Sequence, residues 1–181
     1  MIEFALHSLD TAPPSSRAML ADRAQGAARL PNMVRTLAES PTALRAFEQL
    51  RAVFSQSGLS ALEQQVVYLA AAQANACHYC TTQRGMFDDS ASARVAADAI
   101  VNEQPIPDIK LQSLRRFVAA MTTQRGWVSD DAVAQFLEAG YERSHVLDVI
   151  TGIALATLSS YTNHVAATPL DGWTPAQGLA G

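Results

Sequence analysis

The sequence has few of the residues that mark several common classes of protein. Only 17% of its residues are charged, and a net charge of −4 provides no basic surface of the kind that neutralises the phosphates of a nucleic acid. We therefore expect no nucleic-acid partner. The longest apolar stretch, residues 149–158, is too short to span a bilayer and contains Gly152 and two threonines, so we expect no membrane partner either.

The start of the chain lacks the pattern of an export signal. Glu3 stands where a signal peptide carries basic residues, and no apolar core follows it. The sequence therefore predicts a cytoplasmic protein. Structural disulfides are unusual in that compartment, so the two cysteines of the chain, Cys77 and Cys80, indicate redox or metal chemistry.

Helical signals run through the chain, and no convincing run of residues alternates as a strand would. We expect an all-α helical bundle forming a single domain over residues 15–168. An extended N-terminal segment, 1–14, precedes this domain, and a tail, 169–181, follows it. The expected helices cover about residues 15–27, a short stretch after 31, 41–57, 61–74, 77–87, 92–101, a segment around 111–121, 129–139 and 144–166.

Two of these helices decide how the cysteines and the centre of the bundle are interpreted. Asn75 is a plausible N-cap, which predicts that Cys77 to Phe87 form one helix. The last helix, from Ser144 to about Ala166, is apolar nearly all round in its middle. That pattern predicts a place at the centre of the bundle or at a subunit contact.

The spacing of Cys77 and Cys80 suits the formation of a reversible disulfide. Residues at i and i+3 lie on one face of a helix, and a nearby helix N-terminus favours a thiolate through its free N–H groups. Arg84 falls on the same helical face, where its charge lowers the pKa of a thiol. Arg84 stays protonated at physiological pH, so it cannot carry protons.

Other interpretations of these residues stay open at this point. One alternative is that the two cysteines are simply small, buried apolar residues of the core. A zinc site needs four ligands, and only His78 is near the pair, since His145 and His164 are far along the chain. His78 and Tyr79 either tune and cover the pair or pack against the adjacent helix.

The segment from Gly58 to Cys80 resembles the carboxymuconolactone decarboxylase / AhpD-like superfamily, in particular its peroxidase-related members. The resemblance covers roughly residues 15–170, and it includes flanking patterns outside that segment. These are Pro31-Asn32-Met33-Val34, Ser40-Pro41, Val128-Ser129-Asp130-Asp131 and Tyr161-Thr162-Asn163.

The resemblance implies an AhpD-like all-α fold assembled as a homo-oligomer, usually a trimer or a hexamer. It implies reduction of a hydroperoxide or a small disulfide, with Cys80 meeting the peroxide and Cys77 closing the disulfide. An external dithiol or a thioredoxin-like protein would then reduce that disulfide. The two thiols carry this chemistry themselves, so we expect no cofactor and no metal.

Two departures from the family pattern affect proton transfer. Redox members carry a Glu twelve residues before the first cysteine and a His four residues after the second, whereas this sequence has Gln65 and Arg84 there. Neither residue can act as a proton carrier at neutral pH, and such assistance is worth about 10²–10⁴-fold. We therefore expect slow peroxide turnover unless His78 or His164 takes over.

Three hypotheses of function follow. The first is a thiol-dependent antioxidant oxidoreductase, a peroxidase or disulfide reductase, acting through Cys77 and Cys80. The second is a non-catalytic, regulatory oligomeric redox sensor of the same fold, which the loss of the proton carriers favours. The third is a decarboxylase-like enzyme without redox chemistry, which has no need of two thiols.

Overall fold

The computed structural model describes residues 3–25, 29–82 and 85–172 of the chain. Within these ranges it contains nine helices and no strand, so the predicted all-α fold is confirmed. The proposed limits of the domain, 15 and 168, stay a prediction. The helices are α1 (Pro14–Gln25), α2 (Asn32–Leu37), α3 (Pro41–Phe54), α4 (Ala61–Ala74), α5 (His78–Thr82), α6 (Ala91–Val101), α7 (Ile109–Thr123), α8 (Asp130–Glu138) and α9 (Arg143–Ala166).

Helix α4 occupies the centre of the bundle and packs against α5, α6, α7 and α9. It begins with the predicted capping box, in which Ser60 and Glu63 satisfy each other's backbone N–H groups. Every residue of the segment 64–72 is buried. A helix that is apolar almost all round gains free energy only where neighbours cover all of its faces, and α4 takes that place.

Helix α9 packs against α2, α3, α4, α5 and α7 and leaves an apolar stripe exposed. The sequence predicts two places for α9, the centre of the bundle or a subunit contact. The first of these, the centre, is occupied by α4. A subunit contact stays a prediction. The exposed stripe contains Leu147, Ile150, Tyr161 and Val165, which are 67%, 44%, 60% and 69% exposed.

The turn between α4 and α5 differs from the sequence prediction. Asn75 is the C-cap of α4, and the predicted N-cap role is wrong. Ala76 has a left-handed φ of 54°, and the N–H groups of Ala76 and Cys77 donate to the carbonyls of Gln73 and Ala72. This is a Schellman ending, in which the chain reverses and closes the last turn of the helix.

The helix after this turn is also shorter than predicted. It begins at His78 instead of Cys77 and ends at Thr82, well before Phe87. The loop that follows turns at Gly85, whose φ of 92° is a conformation that glycine adopts at little cost. Phe87 then packs edge-on against Phe54 and Tyr68, with ring centroids 5.3 and 6.1 Å apart.

In the part of the chain that the structure describes, no helix combines the length and apolar character needed to cross a bilayer.

Candidate active site

Cys77 and Cys80 are both free thiols and both buried, with 1% and 0% exposure. Cys77 is the residue immediately before α5 and caps it. Its carbonyl accepts the N–H of Thr81 at 3.1 Å, and its Sγ accepts the N–H of Cys80 at 3.3 Å. The geometry is that of a Ser or Thr N-cap with sulfur in place of oxygen, and it holds the two sulfur-bearing side chains on the same side of the turn.

Polar side chains of α9 surround the sulfur of Cys80. Asn163 Nδ2 donates to Cys80 Sγ at 3.4 Å, and it lies 3.9 Å from Cys77 Sγ. The hydroxyl oxygens of Ser159 and Ser160 are 3.4 and 3.7 Å from Cys80 Sγ. Three polar side chains on one face of α9 therefore converge on a single sulfur.

The two thiols have opposite pKa shifts. Hydrogen bonds from the Cys77 thiol first, and then from Ser159, Ser160 and Asn163, lower the pKa of Cys80 to about 6 against the opposing effect of burial. The pKa of Cys77 is raised because its S–H is held by Cys80 and because it is buried. Cys80 is therefore the thiolate at neutral pH, and Cys77 is its protonated neighbour.

Sequence reasoning missed Ser159 and Ser160, and it noted Asn163 only as part of a family pattern. Their signal in the sequence is a group of polar residues at spacings of three and four in an otherwise apolar helix. All three are buried, and a buried polar side chain needs a partner. Their partner is the cysteine pair, about 80 residues earlier in the chain.

A second layer of contacts lies behind Ser159. The Tyr68 hydroxyl, from α4, is 3.0 Å from Ser159 Oγ, and Ser159 Oγ is 2.7 Å from the sulfur of Met33 in α2. Tyr68 and Ser159 are both fully buried. Three helices thus meet at one hydroxyl next to the Cys80 thiolate.

Tyr79, between the two cysteines, connects the site to the C-terminal segment. Its hydroxyl donates to Asp171 Oδ2 at 2.7 Å and accepts the N–H of Met33 at 3.1 Å. The other carboxylate oxygen of Asp171 accepts the N–H of Asn32 at 2.8 Å. Asp171 therefore stabilises the start of α2, where the N-cap residue Pro31 has no side-chain hydrogen bond to offer.

Among the described residues, neither Gln65 nor His78 is a hydrogen-bond partner of the two sulfur atoms. Gln65 is fully buried, its Oε1 accepts the N–H of Phe87 at 2.9 Å, and its Nε2 has no hydrogen-bond partner. His78 is exposed, as is His164, so neither imidazole lies inside the polar cluster around Cys80. Arg84 lies outside the described residues, and its predicted place beside the cysteines stays a prediction.

The described residues contain no group of three or more His, Cys, Asp or Glu side chains placed to hold a metal ion. The polar side-chain atoms that α9 brings to Cys80 Sγ belong to two hydroxyls and an amide, groups that can donate hydrogen bonds to a thiolate. This arrangement can hold one sulfur deprotonated beside a second that is protonated. Those are the two states that a thiol–disulfide cycle uses.

Comparison with known proteins agrees with this architecture. The model of the carboxymuconolactone decarboxylase family matches residues 41–106, from the start of α3 to the loop before α7. The predicted resemblance is confirmed, and the matched segment contains Cys77 and Cys80. A comparison with curated protein sequences gives no match.

Several solved structures share the fold over nearly the whole chain. An alkylhydroperoxidase AhpD core, an uncharacterized peroxidase-related protein from Ralstonia eutropha, is 20% identical with a TM-score of 0.81, over 94% of this chain and 92% of that one. A peroxidase-related protein from Silicibacter sp. TM1040 is 15% identical with a TM-score of 0.74, over 99% and 93%. The debrominase Bmp8 with 2,3,4-tribromopyrrole is 13% identical with a TM-score of 0.74, over 95% and 92%. At these identities the likeness shows the fold.

Proposed function

We propose that the chain is a thiol-dependent oxidoreductase that reduces hydroperoxides or small disulfides through Cys77 and Cys80. The observation that carries the proposal is the set of donors around Cys80 Sγ, which stabilises a thiolate in the interior of the protein. The thiolate is the nucleophilic form of cysteine. A cysteine that served only as a small apolar core residue would have no use for these donors.

The proposed reaction balances with the two thiols alone. The Cys80 thiolate attacks the outer oxygen of a hydroperoxide ROOH, the O–O bond breaks, and the leaving alkoxide takes the Cys77 proton to become the alcohol. Cys80 is then a sulfenic acid. The new Cys77 thiolate attacks that sulfur, forms the disulfide and expels hydroxide, which solvent protonates to water. An external dithiol or thioredoxin-like protein supplies two electrons and two protons and restores both thiols.

Cys77 is the sulfur assigned to the reductant because of its place in the chain. It stands between Ala76 and His78, both of which are exposed, so it lies just beneath the surface. Cys80 lies deeper, among Ser159, Ser160 and Asn163. Assembly as a trimer or hexamer and a cytoplasmic location belong to the same proposal and are open to test.

The proposed enzyme is slow. Gln65 and Arg84 stand where the related enzymes carry a Glu and a His, so no group there can exchange a proton at neutral pH. Gln65 instead uses its Oε1 to hold the N–H of Phe87. The missing assistance corresponds to about 10²–10⁴-fold in rate.

The test measures consumption of hydrogen peroxide and of an alkyl hydroperoxide with excess dithiothreitol. We expect slow multiple turnover by the unmodified chain and none by Cys80→Ser. Cys77→Ser is the matched control: with dithiothreitol left out, it should react once and leave a Cys80 sulfenic acid that dimedone traps, because the resolving thiol is missing. Turnover that persists in Cys80→Ser would contradict the proposal.

Two alternatives give different results in the same experiment. A redox sensor forms the Cys77–Cys80 disulfide after one addition of peroxide but has no sustained turnover. The fold is also that of the debrominase Bmp8, which was solved with 2,3,4-tribromopyrrole. Release of bromide from 2,3,4-tribromopyrrole in the presence of dithiothreitol, without peroxide consumption, would favour that chemistry instead.

A further inference from the structure

The hydroxyl of Ser159 has more hydrogen-bonding neighbours than protons. Its oxygen lies 2.7 Å from Met33 Sδ, 3.0 Å from the Tyr68 hydroxyl and 3.4 Å from Cys80 Sγ. A serine hydroxyl has one proton to give and two lone pairs that accept. Because Ser159 is fully buried, water cannot replace a hydrogen bond that the protein does not supply to its hydroxyl.

The chemistry of the three neighbours determines the direction of these bonds. A thioether sulfur and a thiolate sulfur both accept and neither donates, so Met33 and Cys80 compete for the single Ser159 proton. Tyr68 is the one donor among the three neighbours. Burial first, and then the charge on Cys80, holds the pKa of Tyr68 well above its usual value, so the phenol keeps its proton at neutral pH.

We propose that Tyr68 is a positioning residue that acts through Ser159. Its phenol donates to Ser159 and thereby directs the Ser159 proton to the Cys80 thiolate, in competition with the thioether of Met33. The inference rests on the proposed function in one respect, since it takes Cys80 as the reacting thiol. It assigns part of the stabilisation of that thiolate, beside the hydrogen bonds of Cys77, Ser160 and Asn163, to a chain of hydrogen bonds from α4 through α9.

The chain of bonds responds to the redox state of Cys80. With Cys80 as a thiolate, an ionised acceptor outcompetes a thioether, and the Ser159 proton points to Cys80. In a Cys77–Cys80 disulfide the sulfur is neutral and a poor acceptor, so the proton turns to Met33. Tyr68 donates to Ser159 in both states, and the buried hydroxyl is never left without partners.

Among the titratable groups near Cys80, the Cys77 thiol lowers the pKa of Cys80 most, and its hydrogen bond is separate from the chain through Ser159. Among the described residues, Cys77, Tyr68 and Tyr79 are the titratable groups that interact with it electrostatically. Tyr79 directs its hydroxyl away, to Asp171, and burial raises its pKa, so it stays neutral. The side chains that α9 contributes are uncharged.

The experiment follows the ultraviolet absorbance of the thiolate against pH in the reduced, full-length chain. The first midpoint belongs to Cys80, because the pKa of Cys77 is raised. We expect Ser159→Ala to raise this midpoint by about one pH unit and Tyr68→Phe to raise it by roughly half a unit. Met33→Leu keeps the volume but removes the competing acceptor, so it should lower the midpoint.

The double variant Tyr68→Phe/Ser159→Ala tests whether Tyr68 acts through Ser159. Its midpoint should equal that of Ser159→Ala alone. Tyr141→Phe removes another buried phenol, one that stacks on Phe136 and interacts electrostatically with Glu63 and Asp108, and it should leave the midpoint unchanged. Circular dichroism checks that each variant is folded. If Tyr68→Phe does not fold, the opposite midpoint shifts expected for Met33→Leu and Ser159→Ala still test the competition for the Ser159 proton.

Three results would overturn the inference. They are an unchanged midpoint in Tyr68→Phe, a further shift when Tyr68→Phe is added to Ser159→Ala, and a raised midpoint in Met33→Leu. Peroxide turnover is measured separately on the same samples. If the midpoints shift as expected while the unmodified chain has no turnover, the proposed function fails and the hydrogen-bond chain stands.

Discussion

Replacing Gly152 by alanine probes the closest approach between α9 and the centre of the bundle. A Cβ at this position would lie 2.6 Å from Phe54 Cζ and 2.6 Å from Val67 Cγ1. Both distances are well inside van der Waals contact. Phe54 and Val67 are fully buried, and the Phe54 ring packs edge-on against Phe87, so neither side chain has free space to move into.

Two opposing terms determine the size of the effect. Alanine is favoured over glycine inside a helix by about 1 kcal/mol. Overpacking a well-filled core costs about 1–3 kcal/mol, and the upper part of that range applies because both neighbouring side chains are confined. We therefore expect Gly152→Ala to lower the free energy of unfolding by about 1–2 kcal/mol.

Urea unfolding of the reduced protein, followed by circular dichroism, measures this difference. Ala154→Gly is a matched control, because residue 154 is exposed on the same helix and reports the helix propensity without the contact. Val67→Ala removes the methyl group that the new Cβ would meet. Combining Gly152→Ala with Val67→Ala should therefore cost less than the sum of the two single changes. A Gly152→Ala variant more stable than the unmodified chain would refute the reasoning.

Two further predictions concern the chemistry of the site. The lowered pKa of Cys80, about 6 against about 8.5 for an ordinary thiol, stabilises the folded state at high pH, and this contribution is lost as the pH falls through 6. The free energy of unfolding of the unmodified chain, relative to Cys80→Ser, should therefore rise between pH 6 and 8.5, and parallel pH curves would contradict the lowered pKa. Gln65→Glu combined with Arg84→His restores both proton carriers of the family pattern, so peroxide turnover should increase. If turnover stays flat, the proton relay does not depend on these two positions.

Several features of the protein follow from local sequence alone. Ser40 before Pro41, Ser60 with Glu63, and Ser129 all begin helices where the sequence predicts them, because a helix start depends on residues within one turn. The pairing of Cys77 with Cys80 is likewise local. Spacing, composition and the family pattern were sufficient for the all-α fold and for the position of the candidate active site.

Tertiary structure decided which helix is central. The middle segments of α4 and α9 are both apolar on several faces, and periodicity cannot distinguish them. Which of the two is enclosed depends on how the neighbouring helices are distributed around each: residues 64–72 of α4 are all buried, whereas α9 keeps an exposed apolar stripe. Local sequence rules also did not predict the turn at Ala76, because the left-handed residue at the end of a helix is usually glycine.

Tertiary structure also decided the surroundings of the cysteines. The sequence provided two thiols and a nearby cation, whereas the donors that the structure places on Cys80 come from Ser159, Ser160 and Asn163 in the last helix. Local sequence fixes which residues share a face of one helix. The distance between faces separated by 80 residues depends on how the helices pack, and that packing adds the hydrogen bonds of α9 to the local one between Cys77 and Cys80.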